Sequence, residues 1–489
     1  MTKKQKNKAS YGSDHYVHIS ILEKIMSNNF KYDVKRITCY NEENSTYPIL
    51  FHYILACFFY KTAINNPNRI GFVITIISIF FFNFFLSHLI GLADWFFILK
   101  ANILYLIFPF SYIYWNAKNM GLTARGFGLL IGNIFTYCLV FYLKGDGSIT
   151  WLIMMTVFSF TALLGSQFAF QYIIFTSLVT SLFVSQLQLL IPVLTSLIIF
   201  RLLLPKFSKE FFRGQYNHKR NYALYLAPIY ILKTRPSVYR DFVYDFWIKL
   251  SQIKREKVKT FYYIYSNPIF ELIYGFPFLW VFIYYLLKNG AINNLETIDS
   301  IIASSLALFF LISLRPFRFL GEPQRYVEFV IPLISISFLY YVPDNIQLVI
   351  ALLSIAFIAL TKFVFYFFKE YSNHDHDEIT HFLKNKFSRE TIISSNDSNF
   401  SKFLIPYFNI VKTDLTRHYK DIFEFNFYHN NNFAIHSVNG LLEFHKQYKT
   451  DLIIINPSLY SQKDMDKLNS KLDLKEVKTQ NNYIIYKTQ

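Results

Sequence analysis

The feature that most constrains this chain is the recurrence of long apolar runs between Pro48 and Phe368. A helix needs about twenty consecutive apolar residues to pass through the hydrocarbon core of a bilayer. Only helices and closed barrels satisfy their backbone polar groups there. The runs are Pro48–Ala63, Ile70–Ile90, Trp95–Trp115, Phe127–Leu143, Ile149–Leu164, Phe170–Leu204, Pro268–Leu287, Ile301–Leu314, Val327–Val342 and Ile346–Phe368. Phe170–Leu204 is too long for one crossing at about 1.5 Å per residue, and it divides near Gln186 and Gln188. The expected architecture is a polytopic α-helical membrane protein with about eleven transmembrane helices, within a range of about nine to thirteen. Composition agrees: 20% of the residues are aromatic, with 55 Phe and 37 Tyr, and 53% are hydrophobic. Few soluble chains are so apolar.

The net charge of +17 lies outside these runs. Between Arg201 and Lys259 fourteen Lys and Arg face only Glu210, Asp241, Asp245 and Glu256. In a membrane protein such an excess marks a cytoplasmic loop against anionic lipid, so no nucleic-acid partner is expected. Within this loop Tyr222–Leu232 and Phe242–Leu250 read as amphipathic segments on the membrane surface. Counting seven crossings back from the loop places Asp14 outside, and counting four forward places the C-terminal region inside. Cys39, Cys57 and Cys138 form no CxxC pair, so neither a zinc site nor a disulfide framework is implied. The basic start MTKKQKNKAS is not followed by an apolar h-region, and no cleavable signal peptide is expected.

Three regions follow: a polar N-terminal segment over residues 1–47 with an amphipathic helix at the membrane surface, a transmembrane bundle over 48–370 with the basic loop at 205–267, and a C-terminal soluble α/β domain over 371–489. The last opens on a polar linker, Asn373–Asp377. Thr391–Ser394, Phe408–Val411, Thr450–Pro457 and Tyr483–Tyr486 read as strands, and Leu468–Leu474 reads as a helix. Neither GxGxxG nor GxxxxGK[ST] is present, so no nucleotide site is expected.

Several polar residues could carry chemistry. Asp14 and His18 are four apart in SDHYVHISILEKIM, on one face of a helix. A carboxylate there can ligate Mg²⁺ or Mn²⁺ on a lipid phosphate or take a proton from a hydroxyl; it can equally cap a short helix. His52 falls near the start of the first apolar run, as a functional group or as a donor to a backbone carbonyl. In FRFLGEPQRYVEFVIP, Glu322, Arg325 and Glu328 are spaced to pair on one helix. Arg325 with Tyr326 would grip a diphosphate, or the segment is a basic turn with ion pairs at a helix start. Asp146, in the GDG loop, would share a mouth with Asp14 or belong to a tight turn. Ser166, Gln167 and Gln171 would line a cavity or, more simply, bond between helices.

Together these residues resemble the GT-C superfamily of membrane glycosyltransferases. The early Asp14 and His18 are similar to its first acidic loop. Tyr47-Pro48-Ile49-Leu50-Phe51-His52 is similar to its YP-type start of the next helix, and Glu322-Pro323-Gln324-Arg325-Tyr326 with Pro332 is similar to its ER[FY]…P segments. The resemblance implies transfer of a sugar from a polyprenyl-phosphate donor with inversion at the anomeric carbon. Asp14, assisted by His18, would act as base or metal ligand. Glu322, Arg325, Tyr326, Asp146 and His52 would bind substrate, and Mg²⁺ or Mn²⁺ would be the cofactor. The partners would be the lipid-linked sugar and membrane lipid, in a bacterial cytoplasmic membrane. Members usually carry one helix before the acidic loop and none precedes Asp14 here, so either the start codon is placed too late or the protein differs from the superfamily at this point. Two other classes fit the same composition: a polysaccharide polymerase, ligase or transporter of lipid-linked sugars, and a non-catalytic assembly subunit.

Overall fold

The computed structural model describes residues 13–30, 48–90, 94–112, 122–145, 147–221, 239, 267–290, 295–369, 374–388, 390–395, 400, 404, 408–410, 438, 441, 445, 449–457, 461–471, 474–480 and 483–488. The amphipathic segments expected at 222–232 and 242–250 lie outside these residues.

The chain is a polytopic helical membrane protein. Helix α1 spans Ser13–Ser27. Helix α2, Leu50–Ile54, continues through a π-helical segment, Leu55–Phe59, into α3, Tyr60–Asn65. Crossings follow in α4 (Pro67–Ile90), α5 (Trp95–Leu106), α6 (Ala124–Lys144), α7 (Ile149–Gly165), α8 (Gln167–Phe183) and α9 (Ile191–Leu203). The basic helix α10, Pro205–Asn221, comes next. Then come α11 (Pro268–Gly275) and α12 (Pro277–Asn289), bent by 76° at Phe276 and together long enough for one crossing. Helices α13 (Glu296–Ser313), α14 (Gln324–Glu328), α15 (Ile331–Tyr341) and α16 (Asp344–Lys369) complete the bundle. Among the described residues four helices are long and apolar enough to span a membrane alone, and five shorter apolar ones accompany them and the bent pair. The long run 170–204 does divide, at the short 3₁₀ turn Leu187–Leu190.

One expected crossing is corrected. The run Pro48–Ala63 does not pass through the bundle; it lies across one end. Phe51 stacks on Phe127, 5.5 Å between ring centres. Twelve residues later Ala63 is buried with Ile19, Ile70, Leu122 and Ala124. Both ends of this stretch therefore belong to one cluster with α1 and the start of α6. Its sixteen residues were short for a crossing. Six crossings, not seven, then separate α1 from α10, which puts both at one end of the bundle. The C-terminal region is there too: Val17 of α1 packs against the cores containing Leu22 and Phe51 on one side and Ile379, Leu383 and Ile454 on the other. The opposite-face placement of Asp14 and the C-terminal region is overturned.

The C-terminal region begins with α17, His374–Lys386, so the stretch expected as a linker opens a helix. Its sheet has strands β1 (Ile392–Ser395), β2 (Asn409–Ile410), β3 (Leu452–Ile455), β4 (Leu474–Gln480) and β5 (Tyr483–Thr488) in the order β2-β1-β3-β5-β4. The β1–β2 and β1–β3 pairs are parallel; β3–β5 and β4–β5 are antiparallel. Central β3 is buried at every position, as a run of Ile requires. The helix expected at 468–474 is Gln462–Lys471 (α18), and Leu474 already starts a strand.

At the heart of the bundle α6 is buried on nearly every side. Gly132 lets the Phe329 ring approach so closely that a Cβ would come within 2.4 Å of it. Phe329 in turn stacks on Tyr172, 3.9 Å between centres. That contact seats the segment running back to Glu322.

The common end has a direct check. In a chain with its native cysteines replaced by serine, Asn28→Cys and Lys463→Cys, both exposed, should react with a membrane-impermeant maleimide from the same side of sealed vesicles. Lys288→Cys, at the far end of α12, should react from the other side.

Candidate functional site

The polar groups gather around the N-terminus of α6. From one side comes α1. Its His15 accepts the backbone N–H of Leu122 at Nδ1, 2.9 Å, which satisfies a donor that burial would otherwise strand. His18 Nδ1 lies 2.8 Å from His52 Nε2 on α2, with the two rings stacked 5.1 Å apart. Both histidines are buried. Such a bond needs one nitrogen to donate and the other to accept, so a neutral pair is sufficient. Burial foremost, and then the neighbouring His18, hold His52 well below the ordinary histidine value. Asp14 sits on α1 one residue before His15; its side chain lies outside the described residues.

From the other side comes the segment before α15. Gly321, at φ +117°, adopts a backbone conformation that L residues rarely tolerate and turns the chain into Glu322. Glu322 Oε2 accepts from Arg325 at 2.5 Å and from Arg125, the second residue of α6, at 3.4 Å. Arg325 lies over the Phe168 ring, 5.4 Å from its centre. Arg125 is three residues from Leu122, so the two polar groups attach to the chain side by side at the start of α6. Arg325 and Glu322 keep part of their side chains exposed, 25% and 48%, and remain accessible to an anion.

Tyr326 points inward instead. It is fully buried, and Gln171 of α8 donates to its hydroxyl and to Leu320 O at 2.6 Å. Burial raises the Tyr326 phenol above its usual value, opposed in part by the Gln171 bond. Lys219 of α10 completes the chain, donating to Gln171 Oε1 at 2.9 Å. Gln171 thus bonds between elements, the simpler of its two expected roles, and Tyr326 fixes the segment while Arg325 faces out. Glu328 is buried behind it.

Asp146 itself lies outside the described residues. Its neighbours Gly145 and Gly147 follow the C-terminus of α6, about 30 Å along a helix of this length from Arg125. The shared mouth expected for Asp146 and Asp14 rests on side chains outside the described residues. Arg125, by contrast, was not singled out in the sequence; a lone Arg opening an apolar helix was the available signal.

Among the described residues no group of three His, Cys, Asp or Glu side chains could hold a metal. Mg²⁺ and Mn²⁺ favour oxygen ligands, whereas His15 and His18 commit Nδ1 to Leu122 and His52. Of the residues named, Asp14 alone on α1 has the donor chemistry for such an ion.

The fold and this polar end define a class: a polytopic helical membrane protein with a small C-terminal sheet and a polar cluster at one end of its bundle. Seven chains of known structure match. One is the crystal structure of ArnT from Cupriavidus metallidurans in the apo state, at 12% identity and a TM-score of 0.51, covering 98% of this chain and 93% of that one. No protein-family model and no curated protein sequence matches the chain.

Two outcomes test this geometry. Gln171→Leu strands Leu320 O and removes the partners of Tyr326 and Lys219, and should lower stability in detergent by about 1–3 kcal/mol. The depressed His52 value has a sign: the unfolded chain takes up a proton near pH 6.5 that the folded one refuses, so stability falls as pH drops through that range. His52→Gln should flatten the melting temperature between about pH 7.5 and 5.5 relative to the parent.

Proposed function

We propose that the chain is a membrane glycosyltransferase that moves a sugar from a polyprenyl-phosphate donor to an acceptor hydroxyl in the assembly of a surface glycan or glycoprotein. The observation that carries this reading is the meeting of α1 and the Glu322–Arg325 segment at the N-terminus of α6, on a fold shared with ArnT. A transferase of this kind needs an anion grip and a carboxylate near one another at the membrane surface. Arg325, held by Glu322 and braced on Phe168, supplies a planar donor fork for a phosphate. Arg125 adds a second positive charge beside it.

In the proposed step the acceptor oxygen forms a bond to the anomeric carbon. The bond from that carbon to the phosphate oxygen breaks, and the phosphate leaves with the electron pair. Asp14 takes the acceptor proton, with His18 on the same helix face. A Mg²⁺ or Mn²⁺ ion at Asp14 would screen charge on the donor phosphate. The protein's share is orientation and charge stabilisation of the departing phosphate. Tyr326 and His52 serve here as supports, one for Arg325 and one for α1. The proposed setting is the bacterial cytoplasmic membrane.

The test is sugar transfer from a polyprenyl-phosphate donor in membranes carrying the full chain. Asp14→Asn should lower transfer at least a hundredfold, the scale of a lost general base, with expression unchanged. Arg325→Ala should raise the donor KM. Wild-type transfer by Asp14→Asn would remove Asp14 from the chemistry.

A further inference from the structure

Helix α10 lies along the same end of the bundle as the candidate site. Its start is fixed by Arg201, which donates to Pro205 O at 2.8 Å and to Ser208 at 3.2 Å. Its inner face packs through Phe207 and Phe211 on Phe200, and its last turn reaches Gln171 through Lys219. The outer face is different in kind. Lys206, Lys209 and Arg213 are exposed, beside Phe212 and Tyr216, which are 38% and 62% exposed. None of these three cations has an acidic partner within 4 Å among the described residues. Just before them Leu202, Leu203 and Leu204 also face outward. A cavity of about 440 Å³ opens beside them, walled by Leu50, Leu164, Leu204 and Phe207, with Lys206 and Glu210 also lining it. Its size falls in the range of about 300–1,000 Å³ typical of small-molecule sites.

We propose that this corner binds an anionic phospholipid of the bilayer, one acyl chain in the cavity and the headgroup phosphate on Lys206, Lys209 and Arg213. The physical case is charge complementarity joined to depth. Exposed leucines end α9 in hydrocarbon, and aromatic side chains sit at the interface where they are favoured. Three cations within two helical turns stand at the level of the phosphates. A zwitterionic phospholipid would fill the same cavity and offer the same phosphate, but its own ammonium group would oppose the three cations. The proposal is independent of the glycosyltransferase reading, since none of these residues belongs to the Arg325 site.

The full chain, purified in neutral detergent, is titrated with phosphatidylglycerol, with phosphatidylcholine of the same acyl chains, and with polyprenyl phosphate, and bound lipid is counted by native mass spectrometry. Phosphatidylglycerol should be retained at least about fivefold better than phosphatidylcholine, and neutralising Lys206, Lys209 and Arg213 to Gln should erase the difference. Raising NaCl from about 0.05 to 0.5 M should do the same in the unaltered protein, which needs no variant to fold. Leu164→Trp, which narrows the cavity, should reduce retention of both phospholipids. Equal retention of the two phospholipids by the parent chain overturns the proposal. So does an unchanged preference in the neutralised variant, or displacement of bound phosphatidylglycerol by equimolar polyprenyl phosphate, which would assign the cavity to a donor lipid.

Discussion

The burial of α6 on nearly every side is the constraint on which the polar end depends. A helix enclosed all round cannot shift without opening voids against its neighbours. Gly132 brings Phe329 against its backbone, Phe329 stacks on Tyr172, and the segment carrying Glu322 and Arg325 is set down from there. At the same end the Leu122 N–H needs an acceptor, and His15 supplies it. A backbone requirement thereby fastens α1 to the bundle, and the two polar groups become neighbours through one rigid part rather than through each other.

How far the sequence reveals this follows from what each signal encodes. Hydrocarbon thickness dictates helix length, so the crossings from α4 to α16 were legible, including the division of the 170–204 run at its two glutamines. Apolar content does not encode direction, so Pro48–Ala63 reads the same whether it passes through a bilayer or lies along it; only its shortness distinguished the two. The error propagated into the sidedness of Asp14 because parity depends on every crossing. In the C-terminal region the local β signal located β3, but the boundary between α18 and β4 escaped, since Leu468–Leu474 suits a helix and its strand pairing is set by β5.

Of the site, charges beside an apolar run were readable because lipid penalises them unless they have a purpose. That marked Glu322 and Arg325. The inward turn of Tyr326 was not readable, because which neighbour of Arg325 faces the core is decided by Phe168 and Gln171, distant in sequence. The common end also binds three assignments together. Helix α1, the basic helix α10 and the C-terminal sheet share a membrane face, so a compartment established for any one of them holds for all three.

Val17 belongs to two cores at once, and those cores draw on segments far apart in the chain. Its neighbours around Ile379 and Leu383 leave the ribosome some 360 residues after it, an interval of roughly 20–70 s at ordinary elongation rates. For that period the exposed side of the first helix has no lasting cover. Closure of this end is accordingly a late event, since it waits for the segment that carries Ile379 and Leu383.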